Sequence, residues 1–354
     1  MELLILNKNL DVISIMDDYE SLIWTERYHA HGDFEIYESM QSRILGYIQQ
    51  DFYIQNPTSE HVMIIEQIQI TTDLEDGNHM IITGRSLESL LNRRIIWKKK
   101  VLNGNLQDSI EILLNENLIN PADSSRKIPN FIFKRSTNPR ITDLKINAQY
   151  TGDDLYDVVQ TICESNSIGF KITLNDKNQF VFELYSGENR SYDQLDNPYV
   201  VFSPTFDNII NSNYIESTKK LKNIALIGGE GDGDNRKYAV VGKSQNGMDR
   251  RELFVDARDI SSYVGNGTTI TNDEYILQLQ QRGVKKLIEN STTKLFEGKI
   301  DATNLFIYGK DFFKGDVVQI VNEYGIGSKV RITEVVSSED KNGISVYPTF
   351  KTVK

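Results

Sequence analysis

Much of this chain consists of short runs in which apolar and polar residues alternate, separated by clusters of Asn, Asp and Gly. A β-strand turns successive side chains to opposite faces, so a period of two gives each run one apolar face. The clearest pair covers residues 170–174 and 180–184, joined by the polar turn 175–178. This pattern predicts a β-hairpin there and a predominance of sheets elsewhere.

Four helices are predicted between these runs. The strongest covers residues 153–166, where apolar residues recur at helical spacing and Thr151 with Asp154 forms a candidate capping box. The other three are predicted over residues 106–118, from about Ser86, and from Thr271 to about Asn290 with Glu274 as the partner of its cap. The chain therefore combines sheets with a smaller share of helix.

The order of these elements divides the 354 residues into three predicted domains, which agrees with a length above that of one typical domain. Residues 1–98 are strand-rich, and residues 99–199 form a mixed α+β segment. Residues 200–354 return to strands, with a helical insertion near residues 271–290. The predicted fold class is mainly β with α+β insertions.

Composition argues against two classes of protein. No apolar run approaches the roughly 20 residues that cross a bilayer, so membrane insertion is not expected. A net charge of -11 disfavours a nucleic-acid clamp, which needs clustered Lys and Arg. The first residues lack the basic start and long apolar stretch of a signal peptide, so we expect assembly in a cytoplasm.

Cys163 is the only cysteine. A single cysteine excludes intrachain disulfides and cysteine-based zinc clusters. Its position on the apolar face of the helix predicted over residues 153–166 indicates a buried hydrophobic residue, and a reactive thiol is the less favoured alternative.

The four histidines do not form a metal motif. On a strand, His29 and His31 would share a face, and Asp33 or Glu35 could then complete a metal site. Gly32 favours a turn instead, so no metal site is predicted. The two remaining histidines flank strand-like runs and are predicted to lie on the surface at strand ends; they are His61 and His79.

The glycine-rich stretch 228–236 follows an apolar run, as a phosphate loop would. Its acidic residues, Glu230, Asp232 and Asp234, would repel a phosphate, and no Gly-Lys-Ser/Thr follows. The bidentate Glu of an EF-hand is replaced by Val241. We therefore predict a flexible hairpin loop and no cofactor.

Carboxylates are plentiful, but none is singled out as catalytic. The cluster of Asp73, Glu75 and Asp76 leads into Gly77 and Asn78 and indicates a solvated turn. The pair of Asp153 and Asp154 stands at a helix start, where acids complement the helix dipole. Gly-x-Ser-x-Gly is absent. No catalytic residue is predicted, although counting alone leaves a glycosidase pair open.

Six stretches carry a resemblance that extends over most of the chain. They are Trp24-Thr-Glu-Arg27, Gly32-Asp-Phe-Glu-Ile36, and residues 84–96, 154–159, 223–231 and 255–260. In this order they resemble a siphophage tail-hub protein family found in phages and prophages of Gram-positive hosts.

Considered without the resemblance, several residues of these stretches are predicted to have packing roles. These are Trp24 and Phe34 as core or interface aromatics, Gly32 in a turn, Leu87, Leu90 and Leu91 on the buried side of a short helix, and Arg93 and Arg94 in salt bridges or facing another subunit.

The resemblance implies a fold related to the central hub of contractile-phage baseplates, with two β-barrel-like tube domains and additional mixed domains. It implies a non-enzymatic virion tail component, assembled in the bacterial host cytoplasm as a homotrimer. Three subunits with two similar domains each would form a pseudo-sixfold ring that mates with a sixfold tube. The implied partners are the tail tube or a distal tail protein and tip or fibre proteins. DNA would pass through without specific binding, repelled by an acidic channel.

Two functions from other classes remain open at this stage. A polysaccharide-acting hydrolase would need two carboxylates roughly 5 to 9 Å apart in a cleft. A carbohydrate-binding module would show exposed Tyr or Trp on a flat face, and the 17 tyrosines do not locate one.

Overall fold

The computed structural model describes residues 2–40, 44–73, 77–243, 245–265, 268–300, 305–325 and 327–353. Strands account for 42% and helices for 21% of the structure, which confirms the mainly β fold with mixed insertions. Within the described residues, no helix is both long and apolar enough to span a membrane.

The first part of the chain forms seven antiparallel strands, which neighbour one another in the order β3-β4-β7-β6-β5-β1-β2. They are β1 (Leu3–Leu6), β2 (Val12–Met16), β3 (Ser21–Arg27), β4 (Asp33–Ser39), β5 (Tyr53–Gln55), β6 (Val62–Asp73) and β7 (Gly77–Ser86). Short 3-10 helices cover Ile44–Gly46 and Leu87–Arg93, and the second confirms the helix predicted from about Ser86. Trp24 and Phe34 both lie in the core beneath this sheet, with ring centroids 6.2 Å apart.

The middle part contains three helices and five strands. They are β8 (Lys100–Asn105), α1 (Leu106–Leu114), β9 (Phe131–Lys134), α2 (Pro139–Thr142), β10 (Lys145–Tyr150), α3 (Leu155–Ser165), β11 (Gly169–Leu174) and β12 (Phe180–Tyr185). The predicted hairpin is confirmed, with Ile172 opposite Phe182. Helix α1 continues as a π-helical turn over Asn115–Ile119, which confirms the helix predicted to residue 118.

Helix α3 begins differently from its predicted capping box. Its N-cap is Asp154, whose carboxylate accepts hydrogen bonds from the backbone N–H groups of Tyr156 and Asp157. Thr151 lies outside the helix, and its backbone N–H donates to Asp153. An aspartate directly before the helix satisfies the free N–H groups by itself, so no threonine cap is needed. Cys163 is fully buried in this helix, as predicted.

The last part returns to strands and contains one long helix. Its elements are β13 (Val201–Phe202), β14 (Ile209–Ser217), β15 (Ile224–Gly228), β16 (Tyr238–Gly242), β17 (Glu252–Asp256), β18 (Tyr263–Gly265), β19 (Thr268–Thr269), α4 (Asn272–Glu289), β20 (Thr293–Ile300), β21 (Val317–Val321), β22 (Gly327–Asp340) and β23 (Gly343–Thr352). Helix α4 starts at the predicted capping box, in which Thr271 and Glu274 bond each other's backbone N–H groups. It packs on a separate sheet of order β16-β15-β17.

Strand β22 joins the early and late strands into one sheet. Its residues 327–331 pair with β21, whereas residues 334–340 pair with β3. The register shifts between Ile332 and Glu334. An irregularity of this kind bends a strand and increases its twist, which lets one strand serve two neighbours in succession.

The resulting sheet contains thirteen described strands. Their order is β14-β20-β23-β22-β3-β4-β7-β6-β5-β1-β2, with β21 beside β22 and β13 beside β21. Strands β14 and β2 stand at opposite ends of this path, and no closed barrel forms among the described strands. The expected barrel-like halves therefore take the form of two parts of one continuous sheet.

Four hydrophobic clusters stabilise the described structure. The first lies under the first seven strands, and the second extends from Leu6 to Leu184 through the helices of the middle part. The third joins Val200 to Phe350, and the fourth lies between α4 and its sheet. The second cluster includes residues of β1 and β6, so the early sheet and the middle part share a core. The division at residues 98 and 199 remains a prediction.

Candidate functional site

A buried cluster of charged side chains lies where the early sheet, the middle part and the late strands meet. We call it the Lys314 cluster, and it consists of Glu26, Glu60, His61, Glu88 and Lys314. The side chain of Lys314 is only 4% exposed. Charged groups are almost never buried unless they are paired, so the contacts within this cluster decide its role.

The Lys314 ammonium group is held by three neighbours. Its Nζ lies 3.2 Å from Glu26 Oε2 and 3.2 Å from Glu60 Oε1. It also contacts Nε2 of His61, whose Nδ1 lies 3.2 Å from Glu88 Oε1. The lysine therefore joins the C-terminal strands to two segments of the early sheet through charge-assisted contacts.

Neutral groups complete the environment of Glu26. Its carboxylate accepts hydrogen bonds from Ser59 Oγ at 2.6 Å and from Tyr308 Oη at 2.7 Å. Burial alone would raise the pKa of Glu26, but the charge of Lys314, together with the His61 ring and these hydrogen bonds, lowers it to about 2. Glu26 therefore stays ionised and paired.

Glu88 is completely buried and also ionised. Burial alone would raise its pKa, but His61, Ser86 and the backbone N–H of Ile172 lower it to about 2. The N–H of Ile172 donates to Glu88 Oε1 at 2.9 Å, which ties the hairpin of the middle part to the helix that follows β7. The Lys314 cluster thus connects all three parts of the chain.

The chemistry of this cluster favours stability over catalysis. The ammonium group that would have to reach a substrate is surrounded by Glu26, Glu60 and His61 and has almost no exposed surface. A buried network of this kind fixes one arrangement of the elements around it, because breaking a single pair leaves an uncompensated charge.

Two of the stretches that carry the family resemblance meet beside this cluster. The backbone N–H of Gly32 donates to Ser86 Oγ at 2.7 Å, and Ser86 Oγ donates to Glu88. A Cβ on Gly32 would stand 2.1 Å from the carbonyl oxygen of Thr25. Glycine is thus required there for close approach of two backbones, in addition to its predicted place in the connection between β3 and β4.

The structure does not bring His29 and His31 into a metal site. His29 Nδ1 lies 2.9 Å from the carbonyl oxygen of Ile168, and burial lowers the pKa of His29 to about 4. Asp33 pairs with Arg27. Among the described residues, no group of three or more His, Cys, Asp or Glu side chains is arranged to hold a metal ion.

The prediction for His61 is wrong, because this residue is buried in the Lys314 cluster. His79 is partly buried and stacks on Tyr37, with centroids 4.9 Å apart. Sequence reasoning also missed Glu26, Glu88 and Lys314. Both glutamates lie inside stretches that carry the family resemblance, but nothing in the local sequence distinguishes a buried glutamate from a solvated one.

The remaining sequence candidates have structural roles. The glycine-rich stretch connects β15 to β16, as predicted, and Arg236 holds it by donating to the carbonyl oxygens of Gly228 and Gly229. Asp73 lies at the end of β6, whereas Glu75 and Asp76 lie outside the described residues. Arg93 forms a salt bridge with Asp51, which was one of the two roles predicted for it.

An acidic cleft lies beside the start of β3 and the end of β22. Its carboxylates are those of Asp17, Glu20, Glu339 and Asp340, with Tyr19 beside them. The hydroxyl of Tyr19 donates to Glu339 at 2.8 Å, and Ser39 donates to Glu20. A cleft lined by carboxylates is where the hydrolase alternative would place its catalytic pair, and two of these four carboxylates accept hydrogen bonds from side chains.

Two exposed apolar surfaces are candidates for contact with other subunits. The first is β2, at the end of the large sheet, where Val12, Ile13 and Ile15 are exposed. The second is the face of the β16-β15-β17 sheet opposite α4. Its exposed residues are Leu226, Tyr238, Val240 and Phe254, and the guanidinium of Arg236 lies over the rings of Tyr238 and Phe254. Contiguous exposed apolar residues are typical of interaction surfaces.

The whole chain matches one known family. A family model described as Siphovirus ReqiPepy6 Gp37-like protein matches residues 2–350. The chain belongs to this family. The Gp37-like proteins are a siphovirus tail protein family, which confirms the resemblance drawn from the sequence. No curated protein matches the chain.

The fold of this Gp37-like chain is similar to those of solved tail proteins. The 43 kDa tail protein of prophage MuSo2 from Shewanella oneidensis is 12% identical, with a TM-score of 0.60 and coverage of 99% of this chain and 98% of that one. The prophage tail protein gp18 from Listeria monocytogenes EGD-e is 12% identical, with a TM-score of 0.56 and coverage of 100% and 95%. The tail protein from Neisseria meningitidis MC58 is 12% identical, with a TM-score of 0.57 and coverage of 99% and 96%.

At this identity the solved structures show a shared fold. Together with membership of the Gp37-like family, they support a structural role in a phage tail. The Lys314 cluster agrees with that role, because it fixes the three parts of the chain to one another.

Proposed function

We propose that this protein is a tail-hub subunit that joins the tail tube, or a distal tail protein, to the tip or fibre proteins. The match of the family model over residues 2–350 carries this proposal. The fold shared with whole tail proteins supports it. The Lys314 cluster links the three parts of the chain, which suits a subunit that holds its neighbours in one arrangement.

The hub acts as a homotrimer in this proposal. Each subunit contributes an early and a late set of strands, which β3 and β22 join into one sheet. Three subunits would then present six sets of strands around one axis and would fit a sixfold tube. The exposed apolar residues of β2 and of the β16-β15-β17 face supply surface for contacts between subunits.

The ring encloses a passage for DNA in this proposal. The net charge of -11 supports a channel that repels the phosphate backbone. Cryo-electron microscopy of tail particles that contain this protein, labelled with a chain-specific antibody fragment, tests the position, the copy number and the channel. We expect three labels at one level, between tube and tip, around a channel with an acidic wall.

Labels repeated along the tube would contradict the hub role, and a copy number other than three would contradict the trimer. A basic channel wall would contradict the proposed passage of DNA by repulsion. These three outcomes are separable in one reconstruction. Particles from a phage that lacks this chain, treated with the same antibody fragment, serve as the control.

The protein acts without catalysis in this proposal, and the acidic cleft gives the sharpest test. Incubation with host cell-wall polysaccharide should release no new reducing ends above the level of buffer. If sugar release occurs and falls in the double variant Glu20→Gln with Asp340→Asn, the protein is a hydrolase. The double variant Asp232→Asn with Asp234→Asn, on exposed residues of the β15–β16 connection, is the matched control.

A further inference from the structure

A groove with a strongly positive rim lies between the early sheet and the middle part of this acidic chain. We call it the basic groove. Its lining comprises Lys8, Asn9, Leu10, Tyr53, Leu90, Arg93, Arg94, Lys127, Ile128, Pro129, Asn130 and Phe180. Four of these side chains are cationic and none is acidic, whereas the whole chain carries a net charge of -11. The groove therefore reverses the overall charge of the protein locally.

One neighbouring carboxylate compensates only part of this charge. Asp51 lies 3.3 Å from Lys8 Nζ and 2.9 Å from Arg93. In the described part of the chain, no carboxylate lies within ion-pair distance of Arg94 or Lys127. The guanidinium of Arg94 instead donates at 2.7 Å to the carbonyl oxygens of Arg93 and Arg126.

A fifth cation stands beside the rim. The guanidinium of Arg126 lies over the ring of Trp97, 5.0 Å from its centroid, and donates to the carbonyl oxygen of Ile95. Burial, and then the like charges of Arg126 and Arg93, lower the pKa of Arg94. Carbonyl groups orient these guanidinium groups but do not neutralise them, so the positive charge is available to an anion.

The floor of the groove is apolar. Leu10 and Leu90 are buried, and Phe180 is 7% exposed, with its ring centroid 6.2 Å from that of Tyr53. The backbone N–H of Phe180 donates to the carbonyl oxygen of Asn130 at 2.9 Å, which holds the floor against the segment that carries Lys127. The groove thus combines a fixed apolar floor with a cationic rim.

We infer that the basic groove binds an acidic peptide segment that also carries large apolar side chains, as a neighbouring protein chain could supply. Arg guanidinium groups pair with carboxylates in a planar, two-point geometry. The apolar lining that stays accessible, which is Tyr53, Ile128 and Pro129, can contact aliphatic or aromatic side chains. Single-stranded nucleic acid would need exposed ring faces on which its bases can stack. Of the two aromatic rings that line the groove, Phe180 is buried and Tyr53 is only partly exposed, so the lining offers no row of open ring faces and fits a peptide better.

This binding site is separate from the proposed function. Groove binding depends on Arg94 and Lys127 in a single chain, whereas the hub role depends on position and copy number in a particle. A failure of one therefore leaves the other open to its own test.

Fluorescence anisotropy on the full-length chain tests the site with a labelled twelve-residue peptide of alternating Glu and Leu. We expect saturable binding that the double variant Arg94→Glu with Lys127→Glu weakens by at least about tenfold, because two charge contacts become repulsive. The double variant Lys219→Glu with Lys220→Glu changes the net charge equally on exposed residues outside the groove, and it should leave binding within about twofold. Lys127→Glu alone, on an exposed side chain, provides the test if the double variant does not fold.

Three results would overturn the inference. The first is absence of saturable binding to the wild-type chain. The second is an equal loss of peptide affinity in the Lys219 and Lys220 variant, which would mean that the net charge of the protein, and not the groove, determines binding. The third is tighter binding of a single-stranded oligonucleotide of the same charge, which would make the groove a nucleic-acid site. A peptide of alternating Glu and Ser should bind more weakly than the Leu peptide. Equal binding of the two peptides would contradict the part of the inference that assigns apolar side chains to the ligand.

Discussion

The Lys314 cluster and the basic groove are two concentrations of charge with opposite physical designs. In the cluster, Lys314 is almost completely buried and lies 3.2 Å from each of two carboxylates. In the groove, Arg94 and Lys127 stand at a surface without a carboxylate partner among the described residues. Removing water strengthens electrostatic interactions and makes an unpaired charge costly, whereas solvent screens an exposed one.

This difference separates a role in stability from a role in binding. Charges that satisfy one another hold parts of a fold together and are closed to ligands. Charges that face solvent without a partner contribute little to stability and are free to attract an anion. Mutations at the two places should therefore affect different measurements, and the following predictions test that separation.

The largest expected effect is that of Lys314→Met. Removing the ammonium group leaves Glu26 buried without its main counter-charge, and we expect a loss of about 3 to 5 kcal/mol in the free energy of unfolding. Denaturant titration followed by circular dichroism measures it. Lys310→Met, on an exposed side chain of the same connection, should change stability by less than about 0.5 kcal/mol.

A double variant identifies the cause of that loss. Lys314→Met combined with Glu26→Gln should cost less than the sum of the two single changes, because the glutamine carries no charge to leave unpaired. Additive losses would mean that lost packing, and not uncompensated charge, explains the effect of Lys314→Met.

The second prediction concerns the stability of the fold at low pH. The pKa values of Glu26 and Glu88 are lowered from 4.5 to about 2 in the folded state, so both groups stabilise the fold above pH 4.5. This contribution, on the order of several kcal/mol for the pair, should be lost as the pH falls from about 4.5 toward 2. Thermal unfolding at pH 7, 4 and 3 measures the loss. In Glu26→Gln the decrease in stability between pH 7 and pH 3 should be smaller, and an unchanged decrease would mean that other groups cause it.

The third prediction concerns a neutral member of the network. Ser59 donates to Glu26 and accepts from the indole N–H of Trp24. We expect Ser59→Ala to cost about 2 kcal/mol, because a hydrogen bond to a buried charge is lost. Chemical denaturation measures this change, and Ser124→Ala on the surface is the control. A loss no larger than that of the control would show that water replaces the serine hydroxyl.

The smallest expected effect on stability lies in the groove. Lys127→Gln should change the free energy of unfolding by less than about 0.5 kcal/mol while weakening peptide binding. Arg94→Gln should cost about 1 kcal/mol, because the bonds of its guanidinium to the carbonyl oxygens of Arg93 and Arg126 are lost. Raising the salt concentration should weaken that binding and leave the contribution of Lys314 almost unchanged, because buried pairs are screened much less. A destabilisation by Lys127→Gln as large as that by Lys314→Met would contradict the separation of the two roles.

Sequence patterns predicted the local elements well because their causes are local. The hairpin around residues 170–184 follows from alternation alone, and the start of α4 follows from Thr271 and Glu274 three residues apart. The cap of α3 was assigned to the wrong residue, because Thr151 and Asp154 both fit the pattern and only the path of the backbone selects between them.

Most of the Lys314 cluster could not be predicted from the sequence. His61 was expected at the surface, and Glu26, Glu88 and Lys314 carried no signal of burial. Lys314 is separated from Glu26 by 288 positions along the chain. A contact of that span depends on how β22 passes from β21 to β3, which no local pattern encodes.

The sequence by itself determined the mainly β character, the hairpin, the helix of Cys163, the exclusion of disulfides and the family. Each of these depends on period, composition or motif order, which are properties of neighbouring residues. Only the tertiary structure decided that the early and late strands form one sheet, that Lys314 has carboxylate partners, and that Arg94 and Lys127 have none among the residues that the structure describes. Whether a charge is paired depends on the distance between side chains from remote segments, and folding sets that distance.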